Sequence, residues 1–546
     1  MTPADVIVYR ANSESTMCLR PASVACSLAL LGLVGTSATL LSQQPAGRGS
    51  FIATQGRDTT IIERFSTSGD RLEGELIARR TPWQSYRLEG ASGGQLRSFD
   101  VTIRPAFSPR ESAPSEVRRL LFAGDSVNES RTLAGKTTQR QRFAGASALP
   151  ILFPSLALLE VAMRRARRIG DSPGQISFVE VGNRERQFVA TLSWIGVDSA
   201  RLDLGGTEFR LAVDAGGRVL GGRVPSMGWT IERQDHWVEL SAPDYTAPSG
   251  APYTAEPVRI ATTGNYWLAA TLTRPRMASG RVPVAITIPG TGQLDRDGTP
   301  DGFGGYQLNR EIAEVLAGRG IALLRYDKRG VGGSSSGEGS TSEALANDVR
   351  AILRFLRARN DIAGDSIILI GHSEGGLIAP MIAASDPEGI RAVVLLAAPA
   401  WPGREVMRSA ARAQLAANPA LSNAQRDSVA IQRVARADAA AAAGSWMRFY
   451  LDYDPLPVVR RVRAPVLILQ GRTDQQVAPE QAEVLASAMR DAGNVRVTVQ
   501  MLPNVNHMLL DDPDGRPGGY LSLPSRRINA QALRLLSDWV TEHLRK

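Results

Sequence analysis

The chain has 546 residues, which is enough for two domains of ordinary size. Its hydrophobic content of 43% is typical of a globular protein and argues against a disordered or fibrous chain. The net charge of +9 is carried almost wholly by arginine, and the densest basic cluster contains no aromatic residue, so we expect no nucleic-acid partner.

The first 38 residues have the pattern of an export signal. A short basic start at residues 17–20 precedes an apolar stretch at 22–34 and small residues suited to cleavage at 36–38. We expect translation to begin at Met17 and the product to be periplasmic or secreted. The alternative is an uncleaved segment that anchors the protein to a membrane. Both cysteines, Cys18 and Cys26, lie here, so the cleaved protein would have no disulfide and no cysteine metal ligand.

Residues 50–240 are predicted to form a β-rich accessory domain. Short runs of alternating polar and apolar residues, bounded by Gly, Asp and Asn, are typical of antiparallel strands. One helix-like insert at 149–168 interrupts them, and it is too short to span a bilayer. No group of residues in this region suggests catalysis, so the domain is either a structural companion or a binding module.

Residues 241–257 contain four prolines and are predicted to be a linker. From residue 258 to 546 strands alternate with helices, and the later strands are continuously apolar, as in a parallel sheet covered on both faces. The predicted strands are 266–273, 282–288, 321–326, 366–370, 392–397, 466–470 and 495–502. The predicted helices are 311–317, 343–359, 376–384, 479–491 and 528–543. The alternation stops at 401–459, which we interpret as a helical cap.

Gly371-His-Ser-Glu-Gly375 is the stretch with the clearest chemical meaning. It stands between an apolar strand and a helix, which is the context of a nucleophile elbow that exposes Ser373 at the carboxyl edge of a sheet. The Gly-rich turn at 326–334 lacks the spacing of a phosphate-binding loop, and we interpret it as a rigid support for the site.

A serine nucleophile needs a base and an acid that orients the base. Of the four histidines, His507 is favoured, because it follows a predicted strand late in the chain. Asp474 fits the acid best, because it follows the strand at 466–470, and Asp452 and Asp454 are the rivals. The predicted triad is therefore Ser373, His507 and Asp474.

The oxyanion formed during acyl transfer needs backbone donors. One is predicted to be the N–H of Glu374, directly after the serine. The second is expected from the loop after the strand at 282–288, where Thr291 is favoured and Gly292 is the alternative. The charged residues at 295–297 are predicted to lock this loop through an Asp–Arg pair.

These motifs resemble those of the α/β-hydrolase superfamily, over slightly more than half of the chain. Within it, Gly290-Thr-Gly-Gln-Leu-Asp-Arg-Asp297 and the elbow GHSEGG at 371–376 resemble bacterial carboxylesterases. Related serine aminopeptidases share the fold and much of the pattern. Pro289 departs from many of these relatives, which place histidine before the oxyanion glycine.

The sequence therefore predicts an exported serine hydrolase that cleaves carboxylic esters, or short peptides in the exopeptidase alternative. A catalytically silent binding protein is the third reading. No cofactor and no metal are expected. The acyl pocket is predicted to be walled by apolar side chains of the cap, namely Trp401, Trp446, Met447, Phe449 and Tyr450.

Overall fold

The computed structural model describes residues 47–545, with gaps at residues 56–57, 79–80, 92–94, 107–111, 134, 146, 170–173, 182–186, 301–302, 338, 340, 417 and 442–444. The predicted export segment, including Met17, Cys18 and Cys26, lies outside the described residues. None of the helices that are described is long and apolar enough to cross a membrane.

The region before residue 235 is β-rich, which confirms the prediction for it. Its fifteen described strands, in chain order, are β1 (Gly47–Gln55), β2 (Asp58–Ser68), β3 (Arg71–Ala78), β4 (Trp83–Glu89), β5 (Ser98–Arg104), β6 (Glu116–Ala123), β7 (Ser126–Leu133), β8 (Lys136–Phe143), β9 (Leu149–Ile151), β10 (Gly174–Glu180), β11 (Gln187–Ile195), β12 (Ser199–Leu204), β13 (Thr207–Val213), β14 (Val219–Val224) and β15 (Trp229–Gln234). One helix, α1 (Leu156–Ile169), lies between β9 and β10.

These strands form one sheet whose two edges are β8 and β9. The two edge strands are consecutive in the chain and are joined only by residues 144–148, which span at most roughly 20 Å. A flat sheet of this size would be about 65 Å wide. The sheet must therefore curl until its edges approach each other. Side chains of α1 belong to the same buried cluster as strands from both halves, so the helix fills the concave side.

The insert predicted as a helix at 149–168 differs from the prediction at its start. Residues 149–151 form β9, which pairs in parallel with β10, and the helix begins only at Leu156. Pro150 and Pro154 explain the difference, because proline lacks the N–H that a helix interior needs. The N-terminus of α1 is held by the buried carboxylate of Glu63, which accepts hydrogen bonds from the N–H groups of Leu156 and Ala157.

The rest of the chain builds a second sheet with helices on both faces, which confirms the predicted alternation. Its described strands are β16 (Tyr253–Ala261), β17 (Trp267–Pro275), β18 (Val282–Ile288), β19 (Ala322–Tyr326), β20 (Ile362–His372), β21 (Ile390–Leu396), β22 (Val466–Gly471) and β23 (Val497–Leu502). The described helices are α2 (Leu308–Ala317), α3 (Ser342–Arg357), α4 (Gly375–Ser385), α5 (Gly403–Ala416), α6 (Asn423–Ala440), α7 (Trp446–Asp452), α8 (Leu456–Val459), α9 (Gln481–Asp491) and α10 (Ala530–Arg545).

The strand order is β16-β17-β19-β18-β20-β21-β22-β23, and the last six are parallel to one another. Helices α3, α4 and α9 pack on one face of the sheet, and α2 and α10 pack on the other. Because parallel strands end at the same edge, the segments after β18, β19, β20, β22 and β23 all meet there. The candidate site lies at this edge.

The segment predicted as a linker, 241–257, is not a free connection. Its last five residues begin β16, which pairs with β17 along nine residues. Its first part packs on the hydrolase region, where the carbonyl oxygens of Asp244 and Thr246 accept hydrogen bonds from Arg310. Its four prolines made this segment look like a linker, but proline is also tolerated at the edge of a sheet, where β16 lies.

The segment between β21 and β22 is helical, as expected for a cap, and consists of α5 to α8. Helix α6 begins with a capping box, in which Ser422 and Gln425 satisfy each other's backbone N–H groups. This helix is mostly exposed, with Ala430 its buried residue.

Candidate active site

Ser373 lies at the tip of the tight turn between β20 and α4. Its backbone is left-handed, with φ +53°, and its N–H donates to the carbonyl oxygen of Leu396 at 2.9 Å. A Cβ on Gly371 would lie 2.1 Å from the carbonyl oxygen of Gly375, and a Cβ on Gly375 would lie 2.0 Å from that of Ile288. Only glycine fits at either flank, and the turn holds the serine side chain at the sheet edge.

Asp474, His507 and Ser373 form a continuous line of hydrogen bonds. His507 Nε2 lies 3.1 Å from Ser373 Oγ, and His507 Nδ1 lies 2.8 Å from Asp474 Oδ2. Because a carboxylate can only accept, the proton of the neutral imidazole lies on Nδ1, and Nε2 is left to accept from the serine. The structure thus brings together the three residues selected from the sequence.

The carboxylate of Asp474 is buried and fully engaged. Its Oδ1 accepts from the N–H groups of Gln476 and Val477 at 2.8 and 2.9 Å, and its Oδ2 also accepts from Gln470 Nε2 at 3.0 Å. Burial alone would raise the pKa of Asp474, but the charge of His507 and these hydrogen bonds together lower it. The group therefore stays ionised beside the imidazole.

The rival acids lie elsewhere. Asp452 is exposed at the end of α7 and pairs with Arg404 at 2.6 Å. Asp454 is also exposed and accepts the N–H of Leu456. Both belong to the cap and form other partnerships, since no strand end carries them to the sheet edge.

The loop that carries His507 is held by its neighbour Asn506, which the sequence interpretation did not single out. The carbonyl oxygen of the Asn506 side chain accepts from the N–H groups of Met508 and Leu510 at 2.9 and 3.1 Å. Its amide nitrogen donates to Asp512 at 3.0 Å. The sequence shows only that an asparagine directly precedes the candidate base, and its full burial appears in the tertiary structure.

His372 also supports this loop. Its Nε2 donates to the carbonyl oxygen of His507 at 2.9 Å, and the two rings lie 5.1 Å apart. Burial, aided by the charge of His507, lowers the pKa of His372 to about 4, so it is neutral near neutral pH. Its ring bonds the carbonyl of His507 and not the serine hydroxyl, as expected for its position on the elbow.

A buried ion pair connects the oxyanion loop to the elbow. Lys328 Nζ donates to the carbonyl oxygen of Gly290 at 2.8 Å and lies 3.3 Å from Glu374 Oε2. The other oxygen of Glu374 accepts from Ser342 at 2.7 Å and from Trp446 Nε1 at 2.6 Å. Because Lys328 follows β19, this network confirms that the turn at 326–334 supports the site.

An Asp–Arg lock holds the end of the oxyanion loop, as predicted. Arg296 pairs with Asp327, with Nη2 2.7 Å from Oδ2, and both residues are buried. Asp297 pairs with Arg325 and lies 3.6 Å from Arg310. The partners are Arg325 in β19, Asp327 directly after β19, and Arg310 in α2. None lies within the loop, so the lock joins three separate segments.

The three backbone donors proposed for the oxyanion adjoin one cavity. Thr291 and Gly292 line it, and Glu374 directly follows Ser373, which also lines it. Within the described residues, the N–H groups of Thr291, Gly292 and Glu374 donate to no protein acceptor. A Cβ on Gly290 would lie only 3.2 Å from that of Ser373, so the loop backbone passes directly beside the serine.

The cavity has a volume of about 230 Å³, and Ser373 and His507 line it. Its walls come from the loop at 289–294, the start of α2, Gln476 and Met508. Among the residues that the structure describes, no Asp, Glu, Lys or Arg lines it. In the part of the chain that the structure describes, no three His, Cys, Asp or Glu side chains are grouped so as to hold a metal ion.

The cap residues predicted to wall the acyl pocket do not line this cavity. Trp446 donates to Glu374 and stacks on Tyr450 at 5.0 Å, and Phe449 stacks on Tyr453 within the cap. Trp401 packs against the core of the sheet. Met447 is likewise absent from the walls of this cavity, and a role of these five residues in the acyl pocket stays a prediction. Apolar character alone does not reveal which way a side chain of the cap faces.

Comparisons with known proteins agree with this fold. Residues 289–516 match the model of the alpha/beta hydrolase family. Esterase EstD from Thermotoga maritima is similar, with 26% identity over 350 residues, covering 63% of this chain and 78% of the relative. Since 63% of the chain exceeds the length of residues 258–546, this similarity extends into the region before residue 258.

Solved esterase structures are similar as well. The Pyrococcus furiosus esterase Pf2001 is 18% identical and covers 55% of this chain and 95% of its own, with a TM-score of 0.37. Est1E from Butyrivibrio proteoclasticus is 17% identical and covers 53% of this chain and 99% of its own, with a TM-score of 0.36. The family match, the sheet topology and the elbow together identify an α/β-hydrolase domain in this chain, and the chain resembles bacterial carboxylesterases.

Proposed function

We propose that the chain hydrolyses carboxylic esters through an acyl-enzyme on Ser373, with His507 as the base and Asp474 as the acid that orients it. The chain is a carboxylesterase-type hydrolase. The observation that carries the proposal is the hydrogen-bonded line from Asp474 through His507 to Ser373, which ends at an uncharged cavity.

In the first half of the reaction, Ser373 Oγ attacks the carbonyl carbon of the ester while His507 Nε2 takes the hydroxyl proton. The tetrahedral intermediate then loses its alcohol, which receives that proton from Nε2 as the C–O bond breaks. In the second half, water attacks the acyl-serine with the same proton transfers, and the acid is released. Asp474 stabilises the imidazolium formed in each half and keeps the proton of the neutral ring on Nδ1.

The oxyanion is proposed to be bound by the N–H groups of Glu374 and Thr291. The bond from Lys328 to the carbonyl oxygen of Gly290 supports the choice of Thr291. In a trans peptide the carbonyl of one residue and the N–H of the next point to opposite sides. Because the carbonyl of Gly290 points towards Lys328, the N–H of Thr291 points away from Lys328. Gly292 remains the alternative donor.

The second candidate, a serine exopeptidase, would need a carboxylate to bind the substrate ammonium. The acids nearest the site already have partners, since Glu374 pairs with Lys328 and Asp297 pairs with Arg325. Asp295 accepts hydrogen bonds from Asp297 and Thr299 of its own loop. None of the described residues that line the cavity is Asp, Glu, Lys or Arg, which favours a neutral ester over an amino-terminal substrate.

A panel of p-nitrophenyl esters beside aminoacyl p-nitroanilides tests the proposal. We expect turnover of the uncharged esters and turnover of the anilides at least about a hundredfold lower, because an ammonium group would be buried without a partner. Faster turnover of the anilides would favour the exopeptidase. Absence of turnover with every member of the panel, by a folded protein, would leave the binding-protein alternative.

The value of kcat/KM for an ester is expected to fall as the solution is made acidic, because a protonated imidazole cannot accept the serine proton. Neither Asp474 nor His372 should change its charge in this pH range and so add to the pH dependence. The pKa of Asp474 is lowered, so it stays negative as the pH falls, and the pKa of His372 is lowered to about 4, so it stays neutral. A profile between pH 5 and 9 measures this, and a flat profile down to pH 5 would rule out a histidine base.

We also propose that the protein is exported through the segment at residues 1–38, with periplasmic or secreted location and Met17 as the start. The pattern of residues 17–38 supports this. Expression of the full chain in a bacterial host, followed by N-terminal sequencing of the extracytoplasmic fraction, provides the test. Recovery of an intact N-terminus in the membrane fraction would support the uncleaved anchor in its place.

A further inference from the structure

Two residues that line the cavity beside Ser373 each carry a buried polar group without a partner in the protein. Asn309 and Tyr306 line the cavity and are only 3% and 1% exposed. Within the described residues, neither the amide nitrogen Nδ2 of Asn309 nor the hydroxyl of Tyr306 forms a hydrogen bond. Buried donors without partners destabilise a fold, so a native protein that keeps two of them beside its nucleophile calls for a reason in function.

The amide of Asn309 is held in place by its surroundings. Asn309 is the second residue of α2, and its backbone N–H donates to the carbonyl oxygen of Asp297 at 3.0 Å. Gly298 has φ +79°, and a Cβ there would lie 3.1 Å from both Cγ and Nδ2 of Asn309. The backbone of Gly298 therefore packs against the amide and restricts its movement. A donor held in this way is prepared for a ligand before the ligand arrives.

The surroundings also define what the donors would bind. The N-terminus of α2, at Leu308 and Asn309, forms part of the cavity wall and carries a partial positive charge. Burial raises the pKa of Tyr306, so its hydroxyl stays protonated and able to donate. A negatively charged ligand would call for a cation, and none of the described residues that line the cavity is Lys or Arg. An uncharged oxygen acceptor fits this combination.

We infer that Asn309 and Tyr306 bind a second, uncharged oxygen of the substrate, a hydroxyl or a carbonyl away from the ester bond. The enzyme then selects esters that carry such an oxygen over plain hydrocarbon esters of the same length. This inference rests on the proposed esterase function. The oxygen can belong to the acyl half or to the alcohol half of the ester, and the chemistry that recognises it is the same.

Pairs of substrates that differ only in the second oxygen test the acyl half and the alcohol half of the ester in turn. The purified full chain is used throughout. For the acyl half, p-nitrophenyl 3-hydroxybutyrate is compared with the butyrate, and the 4-oxopentanoate with the pentanoate. For the alcohol half, 2-hydroxyethyl butyrate is compared with propyl butyrate. We expect kcat/KM to favour the oxygen-bearing ester by roughly tenfold or more in one half, because a site with unpaired polar groups discriminates against substrates that leave them unpaired.

The variant Asn309→Leu removes the donor while keeping the number and branching of the side-chain heavy atoms. It should bring that ratio to within about threefold of one, through slower turnover of the oxygen-bearing ester. Tyr306→Phe should lower the ratio in part. Gln307→Leu is the matched control. It removes a neighbouring side-chain amide that donates to Asp297 and does not line the cavity, and it should keep the parent ratio.

The outcomes separate this inference from the proposed function. If no ester is hydrolysed at all, the esterase proposal fails. If plain esters are hydrolysed but the ratio is near one in both halves, or survives Asn309→Leu, the inference about the second oxygen is overturned. The melting temperature gives an independent readout. Leucine leaves no unpaired amide, so the variant should melt at the parent temperature or above. A fall of many degrees would show that the amide has a structural role, and would overturn the inference as well.

Discussion

Replacing Ser373 with alanine is expected to reduce ester hydrolysis by roughly 10⁴- to 10⁶-fold. The variant loses the atom that forms the acyl-enzyme, while the backbone donors and the cavity remain and account for the residual rate. Alanine keeps the Cβ that already fits the left-handed turn, so folding should be unchanged. Steady-state rates with p-nitrophenyl butyrate and the melting temperature together measure this.

Ser385→Ala is the matched control, since Ser385 is an exposed serine at the far end of the helix that begins after the elbow. It should keep the parent rate. A fluorophosphonate probe should label Ser373 in the parent and in this control, and nothing in Ser373→Ala. Labelling of a different serine, or activity of Ser373→Ala within tenfold of the parent, would contradict the assignment.

Replacing Asp474 with asparagine is expected to lower kcat by about 10⁴-fold. The amide of asparagine can donate to His507 Nδ1, which favours the tautomer with the proton on Nε2. That tautomer cannot accept from Ser373 Oγ, which lies 3.1 Å away. The two N–H groups of Gln476 and Val477 still find an oxygen to bond, so the loop should remain folded.

Asp452→Asn and Asp454→Asn serve as controls for the acid. Both are exposed in the cap, where surface interactions contribute little, and each should change kcat by less than about twofold. If either of them lowers kcat more than Asp474→Asn does, a different carboxylate orients the base. A loss of less than tenfold in Asp474→Asn would also contradict the proposed role.

The sequence by itself determined the elements and the chemistry of the candidate site. The strand before Gly371 and the helix after Ser373 are local patterns, and Gly371 is required by a contact with Gly375, four residues later. Because parallel strands end at one edge, Asp474 and His507 could be selected as the residues that directly follow two later strands. Local backbone preference and hydrophobic periodicity are properties of neighbouring residues, so a single sequence carries them.

Only the tertiary structure decided what depends on residues far apart in the chain. Four prolines made residues 241–257 look like a linker, yet β16 begins within this segment. The pairing of β16 with β17 outweighs the preference of the prolines for irregular structure. The apolar pattern of the cap did not indicate that Trp446 donates a hydrogen bond to Glu374. The curling of the first sheet follows from a connection between its two edges. Asn309 and Tyr306 carry no motif, and their importance appears only when burial and the missing hydrogen-bond partners are seen in three dimensions.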